Sequence, residues 1–207
     1  MDETLDEFRY DKGMTVERPQ RLKRLPAEYY RGEAWVHWVC TIDGRRTGWL
    51  DARFLYKMRE LLTHAAFRYQ IACPIYCLMP DHIHLLWAGL ADDSDQLPAM
   101  KAFRLNSNDC LKRVGHQFQL QPYDHVLKDH ELERGAIEST MEYIARNPER
   151  KGLVKTDHFQ TYPYTGCLLP GAPRIRLFGE AGWDEVWQTL SFLKRTACFR
   201  RPDPKYL

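Results

Sequence analysis

The chain has 207 residues, 44% hydrophobic and 13% aromatic, which is enough apolar material for one sizeable core and argues against disorder as its main state. The formal net charge of only +2 excludes a nucleic-acid binder that works through total charge, so any such role has to come from local basic clusters. No apolar run approaches the roughly 20 residues that span a bilayer, and no secretory h-region follows the acidic opening Met1-Asp2-Glu3, so a cytoplasmic protein without membrane contact is expected.

Residues 1 to 33 mix charge, proline and tyrosine with a basic knot at Arg18, Arg21, Lys23 and Arg24, and read as an arm laid on the domain. Trp35 to Ile42 is rich in aromatic and β-branched residues and runs into the turn signal Asp43-Gly44, which predicts a first strand. From Asp51 to Arg68 the apolar positions Phe54, Leu55, Met58, Leu61, Leu62, Ala65 and Ala66 recur at spacings of three and four, an amphipathic helix with Asp51 at its cap. Tyr69 to Met79 and His82 to Gly89 are apolar runs joined by Pro80-Asp81, a hairpin in outline. Leu97 to Val114 reads as a second helix, Phe118 to Leu127 as extended, and Leu132 to Asn147 as a third helix stopped by Asn147-Pro148. Trp183, Val186, Trp187, Leu190 and Leu193 mark a last amphipathic helix.

This order predicts an α+β fold, an antiparallel sheet with helices packed on one face, divided into the arm (1–33), a central domain (34–165) and a C-terminal extension (166–207). The six cysteines, Cys40, Cys73, Cys77, Cys110, Cys167 and Cys198, contain no Cys-x-x-Cys pair and read as reduced, buried packing residues. Cys73 and Cys77 could share a strand face, but Pro74 and the apolar neighbours suit packing better than zinc.

The stretch carrying most chemical information is Pro80-Asp81-His82-Ile83-His84-Leu85-Leu86-Trp87. In a strand, residues two apart point the same way, so His82 and His84 share one face while Ile83, Leu85 and Trp87 take the other. Such a pair can close on one divalent metal while the apolar side packs into a core. On the third helix, Ile137, Met141 and Ile144 form an apolar stripe, and Tyr143 and Asn147 stack one turn apart, roughly 100° away from it. Taken singly, each feature has an ordinary structural reading: sheet histidines satisfied by hydrogen bonds, a surface tyrosine, a helix stop. Together, two imidazoles and an amide oxygen could hold a divalent ion with open positions beside a phenol, a set suited to phosphodiester transesterification by a tyrosine nucleophile. The chain has no Gly-x-x-x-x-Gly-Lys-Ser/Thr loop, no Gly-x-Gly-x-x-Gly and no Gly-x-Ser-x-Gly.

Met79 to Leu86 together with Tyr143-Ile144-Ala145-Arg146-Asn147-Pro148-Glu149-Arg150-Lys151-Gly152-Leu153-Val154 resembles the single-tyrosine HUH transposases of insertion sequences, and looks most like their domesticated branch, the REP-associated tyrosine transposases. The likeness covers about residues 30 to 165. It implies a ferredoxin-like sheet, the HUH endonuclease fold, with His82, His84 and Asn147 as ligands of Mg2+ or Mn2+ and Tyr143 as the nucleophile. Mobile members often carry glutamine where Asn147 stands; asparagine matches the REP-associated branch. The implied partner is single-stranded DNA beside a small hairpin, cleaved and rejoined through a 5′-phosphotyrosine link. Arg21, Lys23, Arg24, Lys101, Arg104, Arg150 and Lys151 are the candidates for contact with its backbone. His125 is a candidate support for the site, and Tyr123 a rival nucleophile that lacks an amide one helical turn away. Homodimer and monomer both stay open, and so do two other readings: a catalytically inactive DNA- or RNA-binding module of the same fold, and a metallohydrolase that uses water.

Overall fold

The computed structural model describes residues 24–133 and 135–196. A five-stranded antiparallel sheet in the order β4-β1-β3-β2-β5 forms its middle layer. The strands are β1 (Trp35–Thr41), β2 (Ile71–Met79), β3 (His82–Gly89), β4 (Tyr123–Leu127) and β5 (Thr165–Leu168). Between them run α1 (Ala52–Tyr69), α2 (Gln96–Lys112), the single turn α3 (Asp129–Leu132), α4 (Ala136–Ala145) and the single turn α5 (Asn147–Arg150), with α6 (Gly182–Arg195) after β5.

The caps explain the helix starts. The Asp51 carboxylate accepts the Phe54 N–H at 2.7 Å, and Asp95 does the same for Leu97 at 3.1 Å, each satisfying a donor that the first turn leaves without an intrahelical partner. Gln70 in the left-handed region (φ 53°) ends α1 and turns the chain into β2.

The α+β class and the antiparallel sheet hold, and α1 and α2 cover one face. They bury Met58, Leu62, Met100 and Phe103 against Trp38, Ile83, Leu85 and Trp87. The other face is covered as well: α4 and α6 bury Met141, Ile144, Val186 and Leu190 against Trp35, Ile75, Met79, Leu86 and Ala88. Helices on one side alone would leave this second apolar row in water, and every residue of β2 and β3 is buried. β5 crosses the boundary expected at residue 165 and pairs with β2, and α6 contributes to the second core, so residues 166 to 195 are built into the sheet and its cover.

Pro74 sets the phase of β2. It has no N–H to give to a ladder, and both ladders of β2 slip around it, between Ala72 and Ile75 against β3 and between Cys73 and Tyr76 against β5. The bulge reverses the alternation. Cys73 therefore packs under α1 and α2 and Cys77 under α4, on opposite faces, where unbroken alternation would have put them together. The five described cysteines are free; Cys40, Cys73, Cys77 and Cys167 are buried, and burial pushes the Cys40 and Cys77 thiols up to about 12, so these are packing residues. Cys198 lies outside the described residues.

At the end of β3, a Cβ on Gly89 would fall 1.8 Å from the carbonyl oxygen of Gly32. Gly89→Ala is expected to cost about 3 kcal/mol or more in chemical denaturation, against about 1 kcal/mol for loss of the α1 cap in Asp51→Ala. Equal costs would show that the residue 32 backbone gives way freely.

Candidate active site

β3 presents His82 and His84 on the sheet face that α4 and α6 cover, as its period of two requires, and the cores divide accordingly around it. The cross-strand partners of His84 are Cys77 and Val39, and that of His82 in β2 is Met79. The Nε2 atoms of His82 and His84 stand 2.9 Å apart. Asp81 Oδ1 lies 2.6 Å from His82 Nδ1, and the Arg45 guanidinium donates to the other oxygen of Asp81 at 2.8 Å. The bond to His82 and the charge of Arg45 hold the Asp81 carboxyl well below the usual range.

The third helix of the sequence reading is three pieces. Gly135, at φ 74°, separates α3 from α4, and α4 ends at Ala145, two residues before the expected stop. Pro148 cannot give Ile144 the hydrogen bond that would continue the helix, and instead occupies the first turn of α5, where no such bond is needed. Asn147 thus opens α5. Tyr143 stays on α4, off the buried stripe of Met141 and Ile144 and 41% exposed. Its ring packs edge-on against His84, with centroids 5.9 Å apart.

Asn147 is buried, and its amide nitrogen donates to the Tyr143 carbonyl at 3.0 Å, leaving Oδ1 for another partner. α5 packs against β2, the strand that carries Cys77 and Met79, the partners of the two histidines. Two ligands at right angles around a cation with bonds of about 2.0–2.1 Å stand roughly 2.9 Å apart, so the His82–His84 separation fits an octahedral divalent ion. Among the described residues no group of three or more His, Cys, Asp or Glu is arranged for a metal.

Arg150 lies over the Tyr143 ring, its Cζ 4.6 Å from the centroid, and Lys151 follows it, exposed. The other basic candidates are placed elsewhere. Lys101 and Arg104 are on α2, across the sheet from Tyr143, and Arg104 bonds the carbonyls of Gln119 and Leu120. Arg24 pairs with Asp124 at 3.0 Å and lies over Trp38. Arg21 and Lys23 fall outside the described residues. Tyr123 shares the site's face but sits on the edge strand beyond Val39, two strand spacings or roughly 10 Å from His84. His125, opposite His37, pairs with Glu131 at 3.0 Å.

His37 was not singled out in the sequence. Its Nε2 lies 3.0 Å from His84 Nδ1, with the two rings stacked 5.2 Å apart. The only sequence signal was that His37 precedes Val39 by two in the first strand, on the face that strand pairing gives to the site. Burial, then the neighbouring histidines, lowers the pKa of His84 well below its ordinary value, and burial with His125 and His82 pushes His37 down to about 4.

An unfolded His37 takes up a proton as pH falls through 6.5, whereas the folded one stays neutral to about 4. Stability present above pH 6.5 is therefore lost between pH 6.5 and 4, by about 3 kcal/mol from His37 alone. Urea unfolding of the wild type at pH 7 and pH 4 should show at least this loss, with a smaller one in His37→Gln; equal loss in both would mean that other groups carry it.

No protein-family model matches the chain, and no curated protein does. Among solved structures, it is similar to a REP-associated tyrosine transposase bound to a REP hairpin, at 17% identity and a TM-score of 0.57 over 70% of this chain and 81% of that one. A Deinococcus radiodurans protein named as a candidate transposase aligns at 15% identity over 63% of this chain and 97% of that one, with a TM-score of 0.40, too low to bear on the fold. No described helix is long and apolar enough to cross a membrane. The chain thus shares its fold with a REP-associated tyrosine transposase.

Proposed function

We propose that this protein is a metal-dependent HUH endonuclease and strand transferase of the REP-associated type, which cleaves and rejoins single-stranded DNA near a hairpin. The observation that carries the reading is the packing of the Tyr143 ring on His84, beside the 2.9 Å convergence of the His82 and His84 Nε2 atoms. The similar transposase is bound to a REP hairpin, which supports a hairpin-bearing DNA as the substrate class.

In this reading His82, His84 and Asn147 hold Mg2+ or Mn2+, which when bound polarises the scissile phosphate and offsets charge on its oxygens. The Tyr143 phenol oxygen gives up its proton to solvent and attacks the phosphorus, a tyrosyl P–O bond forms, the P–O3′ bond breaks, and the departing 3′-oxygen takes up a proton. Arg150, with Lys151 next in the chain, places positive charge over the Tyr143 ring, where the scissile phosphate has to enter. Arg24, Lys101 and Arg104 would contact DNA only along a path that leaves this face; Arg21 and Lys23 stay candidates for its backbone. The bond energy is kept in the phosphotyrosine link, so rejoining needs no nucleotide triphosphate.

A binding module without catalysis is the second reading. It is favoured by one observation: the His82–His84 and His84–His37 contacts, at 2.9 and 3.0 Å, also suit a hydrogen-bonded chain of imidazoles.

Incubation with single-stranded hairpin DNA and Mn2+ should give a covalent adduct in a denaturing gel, absent from Tyr143→Phe and reduced at least 100-fold in His82→Ala and His84→Ala. An adduct that persists in Tyr143→Phe would remove Tyr143 as nucleophile. Hairpin binding with no adduct and no response to Mn2+ would establish the second reading.

A further inference from the structure

At 2.9 Å the two Nε2 atoms can share a hydrogen bond, which requires a proton on one of them. A cation between them needs both as lone-pair donors. For His82 this is arranged by Asp81, whose carboxylate takes the Nδ1–H and leaves Nε2 bare. His84 has no carboxylate. With Nε2 bare, its proton sits on Nδ1, and the atom facing Nδ1 at 3.0 Å is Nε2 of His37.

We propose that His37 is the positioning residue of His84: its Nε2 accepts the His84 Nδ1–H and thereby aims the His84 Nε2 lone pair at the point shared with His82. This rests on the metal-bound reading of the site. The roles must exchange on loading: if His84 Nε2 is the donor without metal, His37 Nε2 donates to His84 Nδ1, and both rings change tautomer when the cation arrives. No net proton is lost by that exchange. His37 is suited to it because an imidazole nitrogen can be donor in one tautomer and acceptor in the other, whereas the carboxylate on His82 only accepts. Stacking on His84 and edge contact with Tyr143, at 6.1 Å between centroids, hold the ring in place for both states.

The test compares Mn2+ uptake by calorimetry in wild type, His37→Phe and His37→Gln, with imidazole nitrogen–proton correlation spectra of the Mg2+-loaded proteins. Wild type should show His84 protonated on Nδ1. His37→Phe, similar in bulk but with no acceptor, should bind Mn2+ about 10- to 100-fold more weakly and lose the single His84 tautomer; His37→Gln, whose amide oxygen accepts, should recover most of the affinity. Should His37→Phe not fold, the wild type still decides: a His84 Nδ1–H in the loaded protein that shows no hydrogen-bond coupling to His37 Nε2 overturns the inference. So does uptake by His37→Phe equal to wild type, which leaves the metal reading standing. A wild type that takes up no Mn2+ overturns both.

Discussion

The site depends on β3 being covered from both sides. A strand whose every residue is buried has a fixed register, because a slip of one position would exchange its two apolar rows and put the histidines under α1 and α2. Two imidazoles in such a strand cannot turn to water for their hydrogen bonds, so they must find partners in the protein or share a ligand. The Asp81–His82–His84–His37 chain is the outcome, and its geometry is set by strand pairing rather than by flexible loops.

The second element of the site arrives differently. Tyr143 is placed by a helix whose buried stripe, Met141 and Ile144, anchors it to the sheet while the phenol stands off that stripe. The break before Pro148 matters as much as the helix. It lets the chain turn into α5, which packs on β2, while the Asn147 amide stays tied to the Tyr143 carbonyl. The two positions four apart in sequence remain neighbours although no continuous helix joins them.

Much of this was legible in the residues. The alternation around His82 and His84 and the Pro80-Asp81 turn specify β3 to the residue, and Asp51 announces its helix, because period and capping are local signals. What escaped was non-local. His37 sits between Val36 and Trp38 in a run that reads only as strand, and its meeting with His84 follows from the register of β1 on β3. The phase reversal at Pro74 put Cys73 and Cys77 on opposite faces, where the sequence offered a shared one, since a bulge is a property of the ladder and not of one strand. Helices on both sheet faces were hidden by the unassigned stretch before α6, and α3 by the reading of a single helix through Gly135. Of the basic clusters, sequence alone could not say which face they meet; among the described candidates, Arg150 lies over the Tyr143 ring.

The pairing of β5 with β2 carries one more consequence. A chain cut where the tyrosine motif's domain was expected to end would leave β2 as an outer strand with unpaired peptide groups along an apolar, fully buried sequence, and would strip α6 from the adjoining core. Such an edge templates association with other copies, so the short strand after residue 165 acts as a guard against aggregation as well as a part of the fold.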